Sequence, residues 1–486
     1  MTSGAPAPTV HRPVNSSQDP DLLACFNIMK QASTEQVSTR SERQDDLLQL
    51  RRLLLDNRDK IICALRADFR HRAAGETERL ELLPSLLGIR HAISNLRAWM
   101  APRRRVGHWA TQPSSAKIVP QPLGVVGIIS PWNYPLLLSV APLIGALAAG
   151  NRVMIKLSEY CPQFAHLFAE IIEQTFARDK ISIFIGDAER SASFSSLCFD
   201  HLLFTGSTEI GRKVMRAAAE NLTPVTLELG GKSPAVIGRD FSYRRAELRS
   251  LVMGKMYNAG QTCVSPDYLL VHKNDEQRLI DAIFAEVTRL YPSLVDNDDY
   301  TSIISDRHHH RLSDMLQDAT DKGATLHEIN PASEPAAAFN TKLPLTLITN
   351  ATANMRVLQE EIFGPLLPII RYETHDDAIR YIKTCPRPLA AYVYTRDRGL
   401  IRDMERKIVS GALSVNQSTI HVGIESLPFG GVGPSGMGSY HGEAGFMTFS
   451  HMKSVYRQRY PNFLALLSPP YETPLRRRAI DILLKL

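Results

Sequence analysis

VVGIISPWNYPLLLSVAPLIGALAAGNRVMIKL, Val125 to Leu157, decides the fold class. It holds two short apolar runs, VVGII (125–129) and VMIKL (153–157), separated by a stretch of helical character. An apolar run without polar alternation is the signature of a strand buried on both faces, and two such runs joined by a helix make a parallel crossover. The alternation continues downstream through ISIFI (181–185), HLLFTG (201–206), AVIG (235–238), YLLVH (268–272), LPIIRY (367–372), AAYVYT (390–395) and ALSVN (412–416). The expected class is α/β, with parallel sheets covered on both faces. Ligands of such sheets lie at the carboxyl ends of the strands.

On the N-terminal side, leucines recur at three- and four-residue steps among charges from Asp21 to Met100, as in LLQLRRLLLDNRDKIICALRADF (47–69), which predicts amphipathic helices. Residues 1–20, rich in Pro, Ser and Thr, read as a disordered tail. Arg103-Arg104-Arg105 opens a polar extended stretch that runs to Pro120. On the C-terminal side, PFGGVGPSGMGSYHG (428–442) is a glycine-rich loop. The end, RRRAIDILLKL (476–486), is a basic amphipathic piece, expected to dock on its own protein, with a membrane surface as the alternative.

At roughly 150 residues per domain, 486 residues make two or three domains. Apolar residues at 44% and charged residues at 22% exclude wholesale disorder, collagen and coiled coil. The net charge of +6 is small and dispersed, so no nucleic-acid partner is expected. Six cysteines stand far apart with no CxxC, which predicts reduced thiols without a disulfide frame or a metal site. No signal-peptide core and no apolar run of about 18 residues is present, so a cytoplasmic protein without a transmembrane segment is expected.

Several glycine-rich pieces invite a phosphate-binding reading. GSTEIG (Gly206, Ser207, Thr208, Glu209, Ile210, Gly211) stands between an apolar run and a helix-compatible stretch, where backbone N–H groups face an anion. It is neither GxGxxG nor a P-loop, and GGKS (230–233) lacks the first glycine a P-loop needs because Thr226 occupies it. GSTEIG is therefore either a cofactor loop or a plain turn. Cys263, in NAGQTCVSPDY, has small neighbours that would let a thiol face a cleft, and Glu228, in TLELGGKSP, has similar surroundings. A Cys and a Glu without ligand-spaced companions suit covalent catalysis with a carboxylate base better than metal binding. Cys161, Cys198 and Cys385 lack that setting and are expected to pack. RHHHR (307–311) is expected to be a solvated helix, since adjacent histidines point about 100° apart on a helix and cannot share one metal. Tyr134 either lines an aromatic tunnel or fills core.

PWNYP (131–135), IKLSE (155–159), FTGSTEIG, LELGGKSP, GQTC, EEIFGP (360–365) and PFGGVGPSGMGSYHG together, in this order and spacing, resemble the aldehyde dehydrogenase superfamily over Leu22 to Tyr456. The likeness is strongest to its class 3 branch of fatty and aromatic aldehyde dehydrogenases, and there to bacterial coniferyl aldehyde dehydrogenases. The resemblance implies a Rossmann-like NAD-binding domain (21–227, with a bridging arm at 103–120), a catalytic domain (228–418) and a C-terminal segment (419–486) that completes the first domain and a bridging, oligomerising element. It implies oxidation of an aldehyde, aromatic or medium- to long-chain aliphatic, to the acid by way of a thiohemiacetal and a thioester. In that scheme Cys263 is the nucleophile, Asn133 with the Cys263 N–H holds the oxyanion, and Glu228 is the base. Lys156 and Glu159 would hold the adenosine ribose, the GSTEIG turn would meet the cofactor, and Glu361 and Phe363 would place the nicotinamide ribose and ring.

Glu159 would repel a 2′-phosphate, which favours NAD, whereas Lys156 would welcome one and leaves NADP open. Many relatives carry Pro after this lysine, where the present chain has Leu157. A homodimer is implied, and no metal. Two other readings are a CoA-acylating relative, against which Glu228 argues, and an idle scaffold, which would tolerate loss of Asn133, Glu228 or Cys263. All three residues are present.

Overall fold

The computed structural model of the chain describes residues 19–106, 112–460, 469–471 and 473–484. The expected tail lies outside the described residues as far as residue 18. Val125–Ile129, buried at every position, is an inner strand of a six-stranded sheet. Across that sheet the strands run Gly436–Met437, Val225–Glu228, His201–Thr205, Val125–Ile129, Arg152–Lys156 and Ile181–Phe184. All are parallel except Gly436–Met437.

From Val125–Ile129 the chain moves outward through Arg152–Lys156 and Ile181–Phe184, then returns to the opposite flank with His201–Thr205. Strand order thus reverses beside Val125–Ile129, and the loops leaving the two neighbouring strands diverge into a crevice at their carboxyl ends. Those loops are PWNYP and GSTEIG.

The crossover helix Leu137–Ala149 is apolar on all sides because twelve of its thirteen residues are buried. It ends at Gly150, whose φ of 91° is a left-handed cap that a Cβ would strain. Helices Arg40–Asp56, Arg58–Asp68 and Leu83–Met100 share its core, and Pro20–Glu35 covers the other face of the sheet through Leu22, Cys25, Phe26 and Met29.

A seven-stranded sheet runs Thr325–Ile329, Leu345–Thr349, Leu366–Tyr372, Tyr268–His272, Pro234–Ile237, Ala390–Tyr394 and Ala412–Val415, antiparallel only at Thr325–Ile329. Each apolar run named from the sequence is a strand. Val225–Glu228, Leu345–Thr349 and Thr325–Ile329 are additional.

A third sheet joins Arg103–Arg105, Ser114–Pro122 and Ser450–Gln458, the last two paired antiparallel from Ser450↔Pro122 to Gln458↔Ser114. The basic C-terminal piece forms the helix Pro474–Leu484 with Leu475, Ile482 and Leu484 exposed, so these side chains are not docked as expected. No helix among the described residues is long and apolar enough to cross a membrane.

Candidate active site

The crevice holds a cleft of about 250 Å³, lined among others by Asn133, Gly206, Ser207, Glu228, Cys263, Glu361 and Phe363. Residues far apart in sequence meet there because the carboxyl ends of the six-stranded sheet carry Asn133, Gly206, Ser207 and Glu228, while loops leading into strands of the seven-stranded sheet carry Cys263, Glu361 and Phe363.

Cys263 follows a turn in which Asn258 (φ 52°), Ala259 (φ 52°) and Gly260 (φ 75°) are all left-handed. Asn tolerates that region, Ala is strained in it, and a Cβ on Gly260 would collide with the Gly364 carbonyl. The turn is pinned by Gln261, whose amide donates to the carbonyls of Asn258 (2.9 Å) and Ser302 (3.0 Å) and accepts from Ile304 N–H (3.0 Å). The half-buried Cys263 thiol is pushed up to about 12 by burial and by the nearby Glu361 and Glu228 carboxyls. Its own N–H and that of Val264 point at the sulfur and act in the opposite direction.

Asn133 is 3% exposed and donates one side-chain N–H to the Gln261 carbonyl at 3.2 Å, which leaves a second amide hydrogen. Its own carbonyl accepts from Arg72 (2.9 Å) and Asn258 Nδ2 (3.0 Å). Arg72 is wholly buried and paired at 3.0 Å with the equally buried Glu81, which in turn accepts from the N–H groups of Leu136 and Leu137 at the start of the crossover helix. The oxyanion candidate is therefore held from behind by an ion pair that also caps a helix.

Glu228 ends its strand at 2% exposure, and neither carboxyl oxygen has a hydrogen-bond partner. Burial holds its carboxyl well above the ordinary range. Glu361 is raised to about 8, first by burial and then by Asp267, and its Oε1 is also buried without a partner. The segment carrying Glu361 is clamped by Lys232, the lysine of GGKS, which pairs with Asp267 and donates to the Val357 and Glu360 carbonyls at 2.8 Å each. Phe363 sits at φ 52° and packs edge-on to Trp132 with ring centroids 5.4 Å apart.

The GSTEIG turn divides its roles. Gly206 and Ser207 line the cleft, and Ser207 caps the helix Thr208–Ala219. Thr208 donates to the Pro434 carbonyl, Glu209 pairs with Lys213 at 3.2 Å, Ile210 is exposed, and Gly211 lies against Leu229. Lys156 and Glu159 lie outside the cleft lining, 3.7 Å apart, with Lys156 at the carboxyl end of Arg152–Lys156. At roughly 4.8 Å per strand, the row of carboxyl ends from Lys156 to Glu228 spans about 14 Å, the scale of a dinucleotide. The donor set fits one. Glu361 Oε1 is a buried acceptor lacking donors, and a Cβ on Gly230 would fill the space against that carboxyl.

Sequence reasoning missed two cleft residues. His308, from RHHHR, is half-buried rather than solvated, edge-on to Trp132 at 4.9 Å, and burial lowers its ring to about 4. Arg311, three residues on, donates to the Glu361 carbonyl at 3.2 Å and to that of Ile362. Their i, i+3 spacing on one helix face was the available signal. His310 stays exposed, and no metal-binding cluster exists among the described residues. Cys161 packs against the Trp132 carbonyl, whereas Cys198 is exposed, contrary to expectation.

A second, largely apolar cavity of about 280 Å³ approaches Cys263 from the side of Leu83, Leu87, Ile420 and Val422. Tyr134 lines it with its hydroxyl 2.8 Å from Thr262 Oγ1, so it is both wall and core. Cys263, Leu138 and Phe429 are common to both cavities.

The family model described as "Aldehyde dehydrogenase family" matches residues 10–455. The chain is 46% identical over 437 residues to a probable coniferyl aldehyde dehydrogenase of Pseudomonas aeruginosa, covering 90% of each chain. It is 44% identical to a coniferyl aldehyde dehydrogenase of a Pseudomonas species, covering 96% of this chain and 94% of that one. A solved structure described as the substrate-bound state of Staphylococcus aureus AldH superposes with a TM-score of 0.89 at 33% identity, over 95% of this chain and 99% of the other. A Mycobacterium tuberculosis aldehyde dehydrogenase complexed with NAD+ gives 0.81 at 27% identity, over 90% and 89%.

Proposed function

The chain belongs to the aldehyde dehydrogenase family and is an NAD(P)-dependent aldehyde dehydrogenase, and from that premise we propose that it oxidises an aromatic aldehyde of the coniferyl type to the acid at Cys263. The observation that carries the assignment is the position of this cysteine at the meeting point of two cavities, a cleft that carries Asn133, Glu228 and Glu361 and an apolar tunnel. An aldehyde in the tunnel and a dinucleotide in the cleft reach the same sulfur from different sides.

The Cys263 thiol first loses its proton to solvent, and the thiolate attacks the carbonyl carbon, whose oxygen becomes an alkoxide in a thiohemiacetal. Asn133, through its unused amide hydrogen, and the Cys263 N–H stabilise that charge. Losing one such donor lowers rates by about a hundredfold or more. Bound NAD(P) supplies the hydride acceptor. Glu361 and Phe363 would hold its nicotinamide end, Gly206 and Ser207 its phosphates, and Lys156 with Glu159 its far ribose. The acyl group left on Cys263 is a thioester, and Glu228 takes a proton from the water that hydrolyses it.

NAD is preferred to NADP because the exposed Glu159 carboxylate repels a 2′-phosphate. The domain division is 21–227, 228–418 and 419–486. The protein acts in the cytoplasm as a homodimer.

The test is NAD(P)H formation from coniferyl aldehyde, with and without CoA. Cys263→Ala is expected to abolish turnover while cofactor still binds, as read by equilibrium titration. Retained dehydrogenase activity in that variant would refute the assignment of Cys263.

A further inference from the structure

The tunnel is walled mainly by leucine, isoleucine, valine, proline and aromatic side chains, yet Arg79, Thr262, Thr419 and His441 also line it. His441 lines it at 7% exposure, and its Nδ1 is buried without a hydrogen-bond partner. Behind the wall, in the short helical turn Ile420–Gly423, whose Ile420, Val422 and Gly423 line the cavity while His421 does not, both ring nitrogens of His421 are likewise buried and unpartnered. Burial lowers both rings to about 4, so each is a neutral imidazole with one N–H donor and one bare acceptor.

An unsatisfied His441 nitrogen in a largely apolar wall, with two more on His421 behind it, is unusual, because a buried polar atom lacking a partner is destabilising by about 1–3 kcal/mol. A folded chain retains such atoms where a bound molecule completes them. The His441 ring is fixed for that task. It stacks on Phe429 at 5.3 Å, meets Tyr440 edge-on at 4.6 Å, and its backbone is held at φ 82°. No carboxylate is paired with either ring. Glu425, four residues after His421, instead accepts from the Gly442 N–H, and Glu443, two residues after His441, pairs with Arg103.

The tunnel's one reactive group is the Cys263 thiol. A substrate that satisfies both must carry an aldehyde at one end and a group that both donates and accepts hydrogen bonds elsewhere. A phenolic hydroxyl does both, and the ring bearing it suits walls made of Leu, Ile and Phe. We propose that His441, backed by His421, is a specificity-determining residue that hydrogen-bonds a phenolic hydroxyl of the substrate remote from its aldehyde, so that hydroxyaryl aldehydes are preferred to hydroxyl-free ones. This rests on the reading of Cys263 as the nucleophile and of the tunnel as the substrate's path.

The experiment compares kcat/KM for coniferyl aldehyde (4-hydroxy-3-methoxycinnamaldehyde) with that for 3-methoxycinnamaldehyde, which differs only by the missing hydroxyl. In the wild-type protein the ratio is expected to favour the phenol by about ten- to a hundredfold. His441→Phe is expected to bring the ratio near one by raising KM for the phenol. Should that variant fail to fold, His421→Phe, away from the stacked pair, is expected to reduce the same ratio. Equal kcat/KM in the wild type, or a ratio that survives both substitutions, overturns hydroxyl recognition and leaves the dehydrogenase reading standing. No NAD(P)H from either aldehyde overturns both.

Discussion

At the scale of single residues, the site combines three acids whose surroundings all favour the protonated form. The Cys263 thiol lies near 12 in the free protein, so its thiolate fraction rises about tenfold per pH unit throughout the neutral and mildly alkaline range. Iodoacetamide alkylation of Cys263, followed by peptide mass spectrometry to separate it from the exposed Cys63 and Cys198, is expected to climb without a plateau up to about pH 10. Glu361 is neutral below about 8 and charged above it, where it opposes thiolate formation. Glu361→Gln is therefore expected to leave the rate unchanged at neutral pH and to raise it above about pH 8. An unchanged profile would remove Glu361 from the control of the thiol. Glu228→Gln tests a different step. With its proton acceptor gone, deacylation slows, and one equivalent of NAD(P)H is expected to appear as a burst before slow turnover. Wild-type steady-state rates would exclude Glu228 from the mechanism.

At the scale of elements, the oxyanion candidate depends on a helix start as much as on its own side chain. Arg72 reaches the Asn133 carbonyl, Glu81 holds Arg72, and Glu81 also caps Leu137–Ala149. Removing one member of a buried pair typically destabilises by about 3–5 kcal/mol, whereas replacing both with apolar groups is often neutral. Arg72→Met is thus expected to lower the unfolding midpoint sharply, and Arg72→Met with Glu81→Leu to recover most of the stability. Both variants are expected to lose kcat by about tenfold or more, because Asn133 is no longer held. Full kcat in the stable double variant would show that the pair serves folding only. None of this was legible beforehand, since leucine spacing among charges predicts helices without telling which of the charges, Arg72 and Glu81 among them, are buried. The long apolar strands were legible because burial on both faces leaves no polar position to obscure them. Val225–Glu228, whose Thr226 and Glu228 alternate with Val225 and Leu227, is no continuous apolar run and did not stand out. His308 and Arg311 were overlooked because periodicity gives a helix its faces and does not tell which face meets a distant Trp132.

At the scale of the whole molecule, the third sheet leaves Ser450–Gln458 as an outer strand with Tyr456 half exposed and Val106 fully exposed beyond the first strand. An unpaired edge of this length invites another chain. Sedimentation equilibrium is expected to give twice the mass of one chain, and Tyr456→Asp combined with Val106→Asp to shift the protein toward the monomer. A wild-type monomer at micromolar concentration would dismiss the arm as a dimer contact. The alternation of strands and helices was enough to read the α/β class. The way the two sheets bring Cys263, carried between Gly260 and Tyr268–His272, to the end of Val225–Glu228 was not, because contacts between sheets leave no local periodicity. That meeting also governs ligand traffic. The thiol has one cavity toward Glu361 and Phe363 and another toward Ile420 and His441, which meet at Cys263 and share Leu138 and Phe429 as a partition. Molecules using the two routes do not share a corridor, so a product departing through one never has to queue behind the occupant of the other.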